Sequence, residues 1–306
     1  MPRFLIINGD DFGRTPGVSR GILDAHRRGI VTSTTALMNM PAVEEALLWA
    51  GNCPDLGVGV HLVFTSGRPL LPPEQIPTLV DREGRFHDQR TALARADQVD
   101  PDQLRAEFAA QIERFIALTG HLPDHLDCHH FTHLHPRYFA VYLAVAADYG
   151  LPVRNPLPSD DDLAAFAARG ILPGSLSLEA AQALVAQDRE LLAKSGVRHQ
   201  DHFIGAFFGD DALSVEFLVE LLAGLPEGTS ELMTHPGYAD DRLRAESGYA
   251  DQRDREVAIL TDPRVRRQIE ALSICLITYG ALDEVGRGEP ERRGHTGPNK
   301  PPDQAA

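Results

Sequence analysis

The sequence predicts an α/β protein, a single domain built as a distorted or incomplete (β/α) TIM-like barrel. Short apolar runs alternate with longer stretches of helical spacing along 306 residues, a length that suffices for one large domain. Acidic or imidazole side chains follow several apolar runs, where a barrel places its site residues. No GxGxxG or P-loop motif follows any run, which argues against a nucleotide-binding open sheet.

Six apolar runs are predicted as strands, and seven periodic stretches are predicted as helices. The strands are Phe4–Asn8, Leu56–Leu62, His125–Cys128, Pro152–Arg154, Glu231–Thr234 and Ile274–Tyr279. The helices are Gly17–Arg28, Val43–Ala50, Asp102–Thr119, Arg137–Tyr149, Leu178–Lys194, Val215–Ala223 and Arg264–Ala271. Gly120 suits the end of the third helix, and Pro136 suits the first position of the fourth.

Two segments fall outside this alternation. Residues 65–100 are rich in Pro, Gly and charge, and a loop of that length is typical of a functional lid or a partner contact. Residues 286–306 combine Pro, Gly and charge with no apolar periodicity, so we expect a disordered tail. The barrel domain is therefore predicted to span residues 1–285.

Composition excludes several classes of partner. The formal net charge of −15 repels nucleic acid and anionic lipid. No run of about 18 apolar residues exists, so we expect no membrane span. The first apolar run is only four residues long, too short for a signal peptide. Three distant cysteines without CxxC spacing favour a reducing compartment, so we expect a cytoplasmic protein.

Two adjacent carboxylates, Asp10 and Asp11, follow the first predicted strand. Neighbouring residues of a strand point to opposite sides, so one carboxylate could hold a metal while the other moves a proton. Asn, Gly and Asp also favour turns for local reasons, so the pair alone leaves a purely structural turn open.

Histidines follow three further strand candidates. His61 ends one of them, residues 124–135 hold five histidines and two aspartates, and His235 precedes a Pro-Gly turn. Imidazole and carboxylate are the usual ligands of zinc and related divalent metals. A lone strand-end histidine is also a common structural residue, and a His-rich loop can be merely polar, so each motif by itself leaves both interpretations open.

Parallel strands would bring all four groups to one rim of the sheet. One carboxylate and two imidazoles leave open metal positions, and a spare Asp and a spare His could act as base and acid, which fits metal-assisted hydrolysis. One alternative is another metallohydrolase on the same scaffold, a phosphoesterase or an amidohydrolase. The sequence shows no basic cluster near these motifs, which argues against phosphate substrates. A non-catalytic metal- or sugar-binding protein is the other alternative.

The ordered motifs resemble those of the YdjC-like carbohydrate deacetylases, over roughly residues 2–282. The motifs are Asn-Gly-Asp-Asp-Phe-Gly (8–13), Gly-Ile-Val-Thr-Ser-Thr-Thr-Ala-Leu-Met-Asn (29–39), Gly-Val-His-Leu (59–62), His-Leu-Asp-Cys-His-His (125–130) and Thr-His-Pro-Gly (234–237). The resemblance implies a distorted barrel and hydrolysis of the N-acetyl group of an acetylated amino sugar or chitooligosaccharide. It also implies a homodimer with a small carbohydrate as its substrate.

The resemblance further implies a divalent metal, Mg²⁺ or Zn²⁺, held by Asp11, His61 and His129. It makes Asp10 the general base that activates water and His235 the acid that protonates the leaving amine.

One position departs from the family pattern. Where relatives often read His-His-His-x-His, this chain has Phe131 in place of the third histidine. That position is therefore not expected to be essential, and His133 is the fallback ligand should His129 not bind the metal. Arg154, at the end of a strand candidate, is expected either to hydrogen-bond sugar hydroxyls or to pair with a carboxylate.

Overall fold

The structure is a computed structural model that describes residues 2–170, 172 and 176–285. The predicted tail at 286–306 lies outside the described residues. Within the described part of the chain, no helix combines the length and the hydropathy that crossing a bilayer requires.

A parallel sheet of seven strands forms the centre of a single α/β domain. Six strands follow the order β4-β3-β2-β1-β6-β5 and curl into a half-barrel, while β7 pairs with the beginning of β1. Single parallel bridges from Leu126 to Val153 and from Val153 to His199 continue the pairing beyond β4. The strands are β1 (Arg3–Phe12), β2 (Ser33–Ala36), β3 (Gly57–Leu62), β4 (Leu126–Cys128), β5 (His202–Ile204), β6 (Gly228–Thr234) and β7 (Cys275–Leu276).

Helices connect the strands, as parallel crossovers require. The helices are α1 (Pro16–Arg27), α2 (Val43–Ala50), α3 (Gln89–Ala94), α4 (Pro101–Thr119), α5 (Pro136–Tyr149), α6 (Asp160–Ala168), α7 (Leu178–Ser195), α8 (Val215–Ala223), α9 (Asp241–Glu246), α10 (Asp251–Leu260), α11 (Pro263–Ala271) and α12 (Leu282–Val285). All seven predicted helices are present, with ends shifted by at most one residue. Local capping explains this agreement, since Asp100 caps α4 and Gly120 ends it in the left-handed conformation.

Apolar side chains form a large core cluster, which includes Leu5 and Ile7 of β1, and a smaller one that includes Phe4 and Ile6 of the same strand. Strand β1 is buried along nearly its whole length because it pairs with β2, β6 and β7. Its carboxyl end, where Asp10 and Asp11 lie, therefore sits between neighbouring strands whose ends point the same way.

Two strands were not predicted, and two predicted strands are shorter than expected. Strand β2 reads Ser-Thr-Thr-Ala, so it lacks an apolar run, yet Thr34 and Thr35 are buried because their hydroxyls are hydrogen-bonded. Strand β5 begins with an exposed histidine. The predicted strand Pro152–Arg154 pairs only at Val153, and Ile274–Tyr279 pairs only over two residues. The 65–100 segment contains α3 and an antiparallel bridge between Val80 and Phe86.

Candidate active site

Strand β1 carries a bulge at the adjacent aspartates. Its register with β2 shifts between Gly9 and Phe12, and Asp11 adopts a left-handed conformation with φ of 71°. Asp tolerates this conformation better than most residues, and a bulge re-aims side chains next to a site. Both carboxylates are consequently buried, and each contacts a different group of side chains.

Asp11, His61 and His129 form a compact set of donor atoms, here called the ligand triad. Asp11 Oδ1 lies 3.6 Å from His61 Nε2 and 3.2 Å from His129 Nδ1, and the two nitrogens are 3.2 Å apart. Bonds of about 2.0–2.2 Å at a tetrahedral angle place ligand atoms roughly 3.3–3.6 Å apart. One oxygen and two imidazole nitrogens at this spacing therefore fit a divalent cation and leave further positions open.

Asp127 orients the His61 ring. His61 Nδ1 donates to Asp127 Oδ1 over 2.5 Å, which leaves Nε2 directed at the other triad atoms. Thr35 Oγ1 donates to the second Asp127 oxygen at 2.9 Å, so the carboxylate itself is fixed. Burial disfavours the imidazolium, but the Asp127 charge outweighs it and raises the pKa of His61. A carboxylate behind a histidine is the usual support of a metal ligand.

His129 is presented by an irregular turn after β4. The next two residues, His130 and Phe131, both have φ near +60°, an unusual conformation for residues other than glycine. Two residues from the 65–100 segment brace this turn: Gln89 Nε2 donates to the His130 carbonyl at 2.6 Å, and Thr65 Oγ1 contacts His130 Nδ1 at 3.1 Å. The segment that the sequence marks as an excursion thus supports the triad.

Arg154 is fully buried and pairs with three carboxylates. Its Nη1 and Nη2 atoms each lie 2.7 Å from one oxygen of Asp10, in a bidentate pair. Nη1 also lies 2.9 Å from Asp127, while Nε and Nη2 donate to Glu231 at 2.8 and 2.6 Å. Because carboxylates surround this fully buried guanidinium, it presents no exposed donor to a sugar hydroxyl. We name these four residues the Arg154 network.

The Arg154 network keeps Asp10 ionised. Burial favours the neutral acid, but the Arg154 charge and hydrogen bonds outweigh it, so the pKa of Asp10 lies well below its ordinary value. Asn8 Nδ2 donates a further hydrogen bond to Asp10 Oδ1 at 2.8 Å. An ionised and immobilised carboxylate beside the triad can accept a proton.

His235 lies across from Asp10, with Nε2 3.9 Å from Asp10 Oδ2. Two hydrogen bonds to α10 hold the backbone of the turn that follows His235. The His235 amide donates to Glu256 at 2.5 Å, and the Gly237 amide donates to a backbone carbonyl of the same helix. Gly237 packs so closely on Gly21 of α1 that a side chain at Gly21 would meet backbone atoms within 3 Å. Burial lowers the pKa of His235 to about 4.

A second arginine reaches the triad from α10. Arg253 Nη2 donates to Asp11 Oδ2, and Arg14 Nη1 lies 3.4 Å from the same oxygen. Burial opposes ionisation of Asp11, but Arg253 and His129 lower its pKa well below the ordinary value. No basic cluster adjoins the motifs along the sequence, but in the folded chain Arg14, Arg154 and Arg253 lie beside them, so the expectation that none lies near is wrong. Among the residues described here, however, each of these arginines already pairs with a carboxylate.

The structure brings together most of the predicted site residues. The triad meets, and Asp10 and His235 face each other beside it. His133 is buried but contacts the rings of Phe139 and Tyr142 instead of joining the triad. The expected contact between Arg154 and a sugar has no support in this geometry, whereas the alternative of a carboxylate pair is what the structure contains.

Three residues of the site were not singled out by the sequence: Glu231, Arg253 and Glu256. Glu231 had a detectable signal, since it is a charge inside an apolar strand candidate and must therefore find a buried partner. Arg253 and Glu256 lie in α10, whose sequence Asp-Gln-Arg-Asp-Arg-Glu resembles a solvated surface and offered no signal.

Comparisons with known proteins identify the family of the chain. The YdjC-like protein family model matches residues 4–271. A carbohydrate deacetylase from Thermoanaerobacter pseudethanolicus is 36% identical, covering 92% of this chain and 99% of that protein. A chitooligosaccharide deacetylase from Proteus mirabilis is 36% identical, covering 92% and 100%. The crystal structure of a candidate cellobiose-phosphate cleavage protein from Enterococcus faecalis superposes with a TM-score of 0.77 at 37% identity, covering 92% and 99%. This chain therefore belongs to the YdjC-like protein family.

Proposed function

We propose that the protein hydrolyses the N-acetyl group of an acetylated amino sugar or a chitooligosaccharide-like substrate, using a divalent metal. The observation that carries the proposal is a three-atom metal-binding geometry directly beside an ionised Asp10 and an opposed His235. The names of the 36%-identical relatives support a sugar as the substrate class.

The ligand triad would hold the metal, Mg²⁺ or Zn²⁺. When bound, such a cation supplies Lewis acidity, which polarises an amide carbonyl and makes water a better acid. Because the Nδ1–H of His61 donates its hydrogen bond to Asp127, Nε2 is the ring atom free to coordinate. Burial lowers the pKa of His129, which keeps that ring in the neutral form that a metal requires.

Asp10 is proposed as the general base. Its carboxylate is held by the bidentate contact with Arg154, which fixes its position as well as its charge. It accepts a proton from the attacking water and becomes neutral, while Arg154 keeps its ion pairs with Asp127 and Glu231. Arg154 acts here through Asp10 as a positioning residue and does not contact substrate.

His235 is proposed as the acid that protonates the leaving amine. A pKa of about 4 makes the imidazole neutral at neutral pH, so His235 has to receive a proton during the reaction. Asp10 is within reach to supply it, at 3.9 Å. The amine leaves poorly unless it is protonated, so this proton transfer links the attack of water to the departure of the amine.

The test combines metal analysis with acetate release. Purified protein is expected to bind one divalent ion per chain and to release acetate from N,N′-diacetylchitobiose or from another member of a panel of N-acetylated sugars. Asp10→Asn is expected to abolish turnover and keep the metal, and His235→Ala is expected to lose turnover likewise. A protein that binds no metal and releases no acetate from the whole panel would contradict the proposal.

Three finer expectations stay predictions. The curled sheet is proposed to complete a distorted (β/α) barrel through the pairings at Val153, within a domain of residues 1–285. A homodimer is expected and can be checked by light scattering after size-exclusion chromatography. A cytoplasmic location is expected and can be checked by cell fractionation.

A further inference from the structure

An exposed phenylalanine lies at the edge of the proposed site. Phe208 keeps 47% of its surface exposed, among the few large apolar side chains of the described residues that do so. Its ring stacks on Tyr249 with centroids 4.3 Å apart and planes 15° from parallel. Tyr249 covers one face of the ring, and about half of the Phe208 surface is left exposed beside this stack.

Phe208 also contacts the proposed acid. Its ring centroid lies 5.2 Å from that of His235, and the two rings are inclined by 61°. Tyr249 contacts the same imidazole at 5.8 Å. The exposed Phe208 ring is therefore in direct contact with the imidazole that is proposed to protonate the amine.

The two rings, here called the aromatic platform, are held rigidly. The Tyr249 hydroxyl donates to Glu256 at 2.6 Å and receives the Gly209 amide at 3.5 Å. Just after Phe208, Asp210 is fixed by Arg255 at 2.8 Å and by Gln252. A surface that is already fixed loses little conformational entropy when a ligand binds.

We propose that the exposed face of Phe208 binds the apolar face of a pyranose ring. This ring belongs to the sugar unit that carries the acetamido group being hydrolysed, or to the unit next to it. A pyranose presents a flat patch of C–H groups on one face and hydroxyls around its edge, and aromatic rings pack against such patches. Exposed aromatic surface beside a polar catalytic centre matches this amphipathic ligand. The inference rests on the proposed function, since it places the sugar relative to His235.

The test separates the flat face from simple apolar contact. Phe208→Ala is expected to raise KM for N,N′-diacetylchitobiose about tenfold, the loss expected for one ring-stacking contact. Phe208→Leu keeps apolar volume without a flat face and is expected to raise KM nearly as much, whereas Phe208→Trp is expected to keep it low. Leu48→Ala, at an exposed leucine outside the site, is the control and is expected to leave KM unchanged.

A binding measurement keeps this test independent of turnover. The chain has one tryptophan, Trp49, so Phe208→Trp in a Trp49→Phe, Asp10→Asn background carries a single fluorophore on the platform. Diacetylchitobiose is expected to change its emission in a saturable way. Absence of acetate release by the wild type together with a saturable emission change would overturn the proposed reaction and keep the platform.

Two results would overturn the platform. One is a KM for Phe208→Ala and Phe208→Leu within twofold of the wild type, together with no emission change. The other is a change of oligomeric state in Phe208→Ala with KM unaltered, which would identify this face as an interface between copies of the chain.

Discussion

Replacing Arg154 with Met should destabilise the protein strongly. The substitution keeps a similar apolar length but removes the guanidinium cation shared by Asp10, Asp127 and Glu231, along with four hydrogen bonds and the ion pair with Asp127. Removing one partner of a buried ion pair typically costs about 3–5 kcal/mol, because the other charge stays buried without compensation. Arg154 is 0% exposed, so water cannot replace it, and we expect a cost near the middle of that range.

The assay is urea unfolding in the presence of a chelator, so that metal binding does not contribute to the difference. We expect the free energy of unfolding to fall by about 4 kcal/mol and Tm to fall by roughly 10 °C. A matched control is Arg105→Met, which breaks an exposed pair with Asp148 and should cost less than about 1 kcal/mol.

A second substitution distinguishes charge imbalance from lost packing. Glu231→Gln removes one of the uncompensated carboxylates, so in the Arg154→Met background it should recover part of the stability, whereas in the wild type it should destabilise. A loss under about 1 kcal/mol for Arg154→Met, or the absence of this reversal, would refute the reasoning.

Three further predictions concern single carboxylates. Asp11→Asn should weaken metal affinity at least about 100-fold, and Asp127→Asn, which frees the His61 ring, should weaken it about 10–100-fold. Isothermal titration with Zn²⁺ measures both affinities. Unchanged affinity for Asp11→Asn together with metal loss in Asp10→Asn would reverse the assigned roles. Burial raises the pKa of Asp188 to about 7, so the folded state binds more protons than the unfolded state between about pH 4 and 7. Stability should therefore fall as pH rises through this range, and Asp188→Asn should stabilise the protein by about 1–2 kcal/mol at pH 8 but hardly at pH 4. Urea unfolding at both pH values checks this, and an equal gain at the two values would contradict it.

Much of the fold could be predicted because the helices carry their own signals. Proline at the first position and glycine after the last turn fix helix ends locally, so α4 and α5 begin and end within a residue of the predicted positions. Strand β2 could not be predicted, because Thr34 and Thr35 are buried by hydrogen bonds to partners distant in sequence. An argument from hydropathy assigns such side chains to the surface.

The candidate site was likewise only partly predictable from the sequence. Residue types at strand ends indicated the Asp10-Asp11 pair, His61 and the His-rich segment, whereas the choice of Asp11, His61 and His129 as the triad depended on the family resemblance. The arginines could not be placed, since Arg154 and Arg253 are recognisable only by the carboxylates they meet, 144 and 242 residues away along the chain. The division between Asp10 and Asp11 depends on a bulge, which strand alternation does not include.

Helix α10 makes three separate contacts with the site within eight residues of its start. Arg253 contacts Asp11, Glu256 holds the backbone of His235, and the same Glu256 fixes Tyr249. This helix therefore contacts the proposed metal ligand Asp11, the backbone of the proposed acid His235, and Tyr249 of the aromatic platform. If binding at one of these places displaces α10, the helix also moves at the other two. Metal and sugar should consequently be linked thermodynamically, each altering the affinity of the other by the same factor.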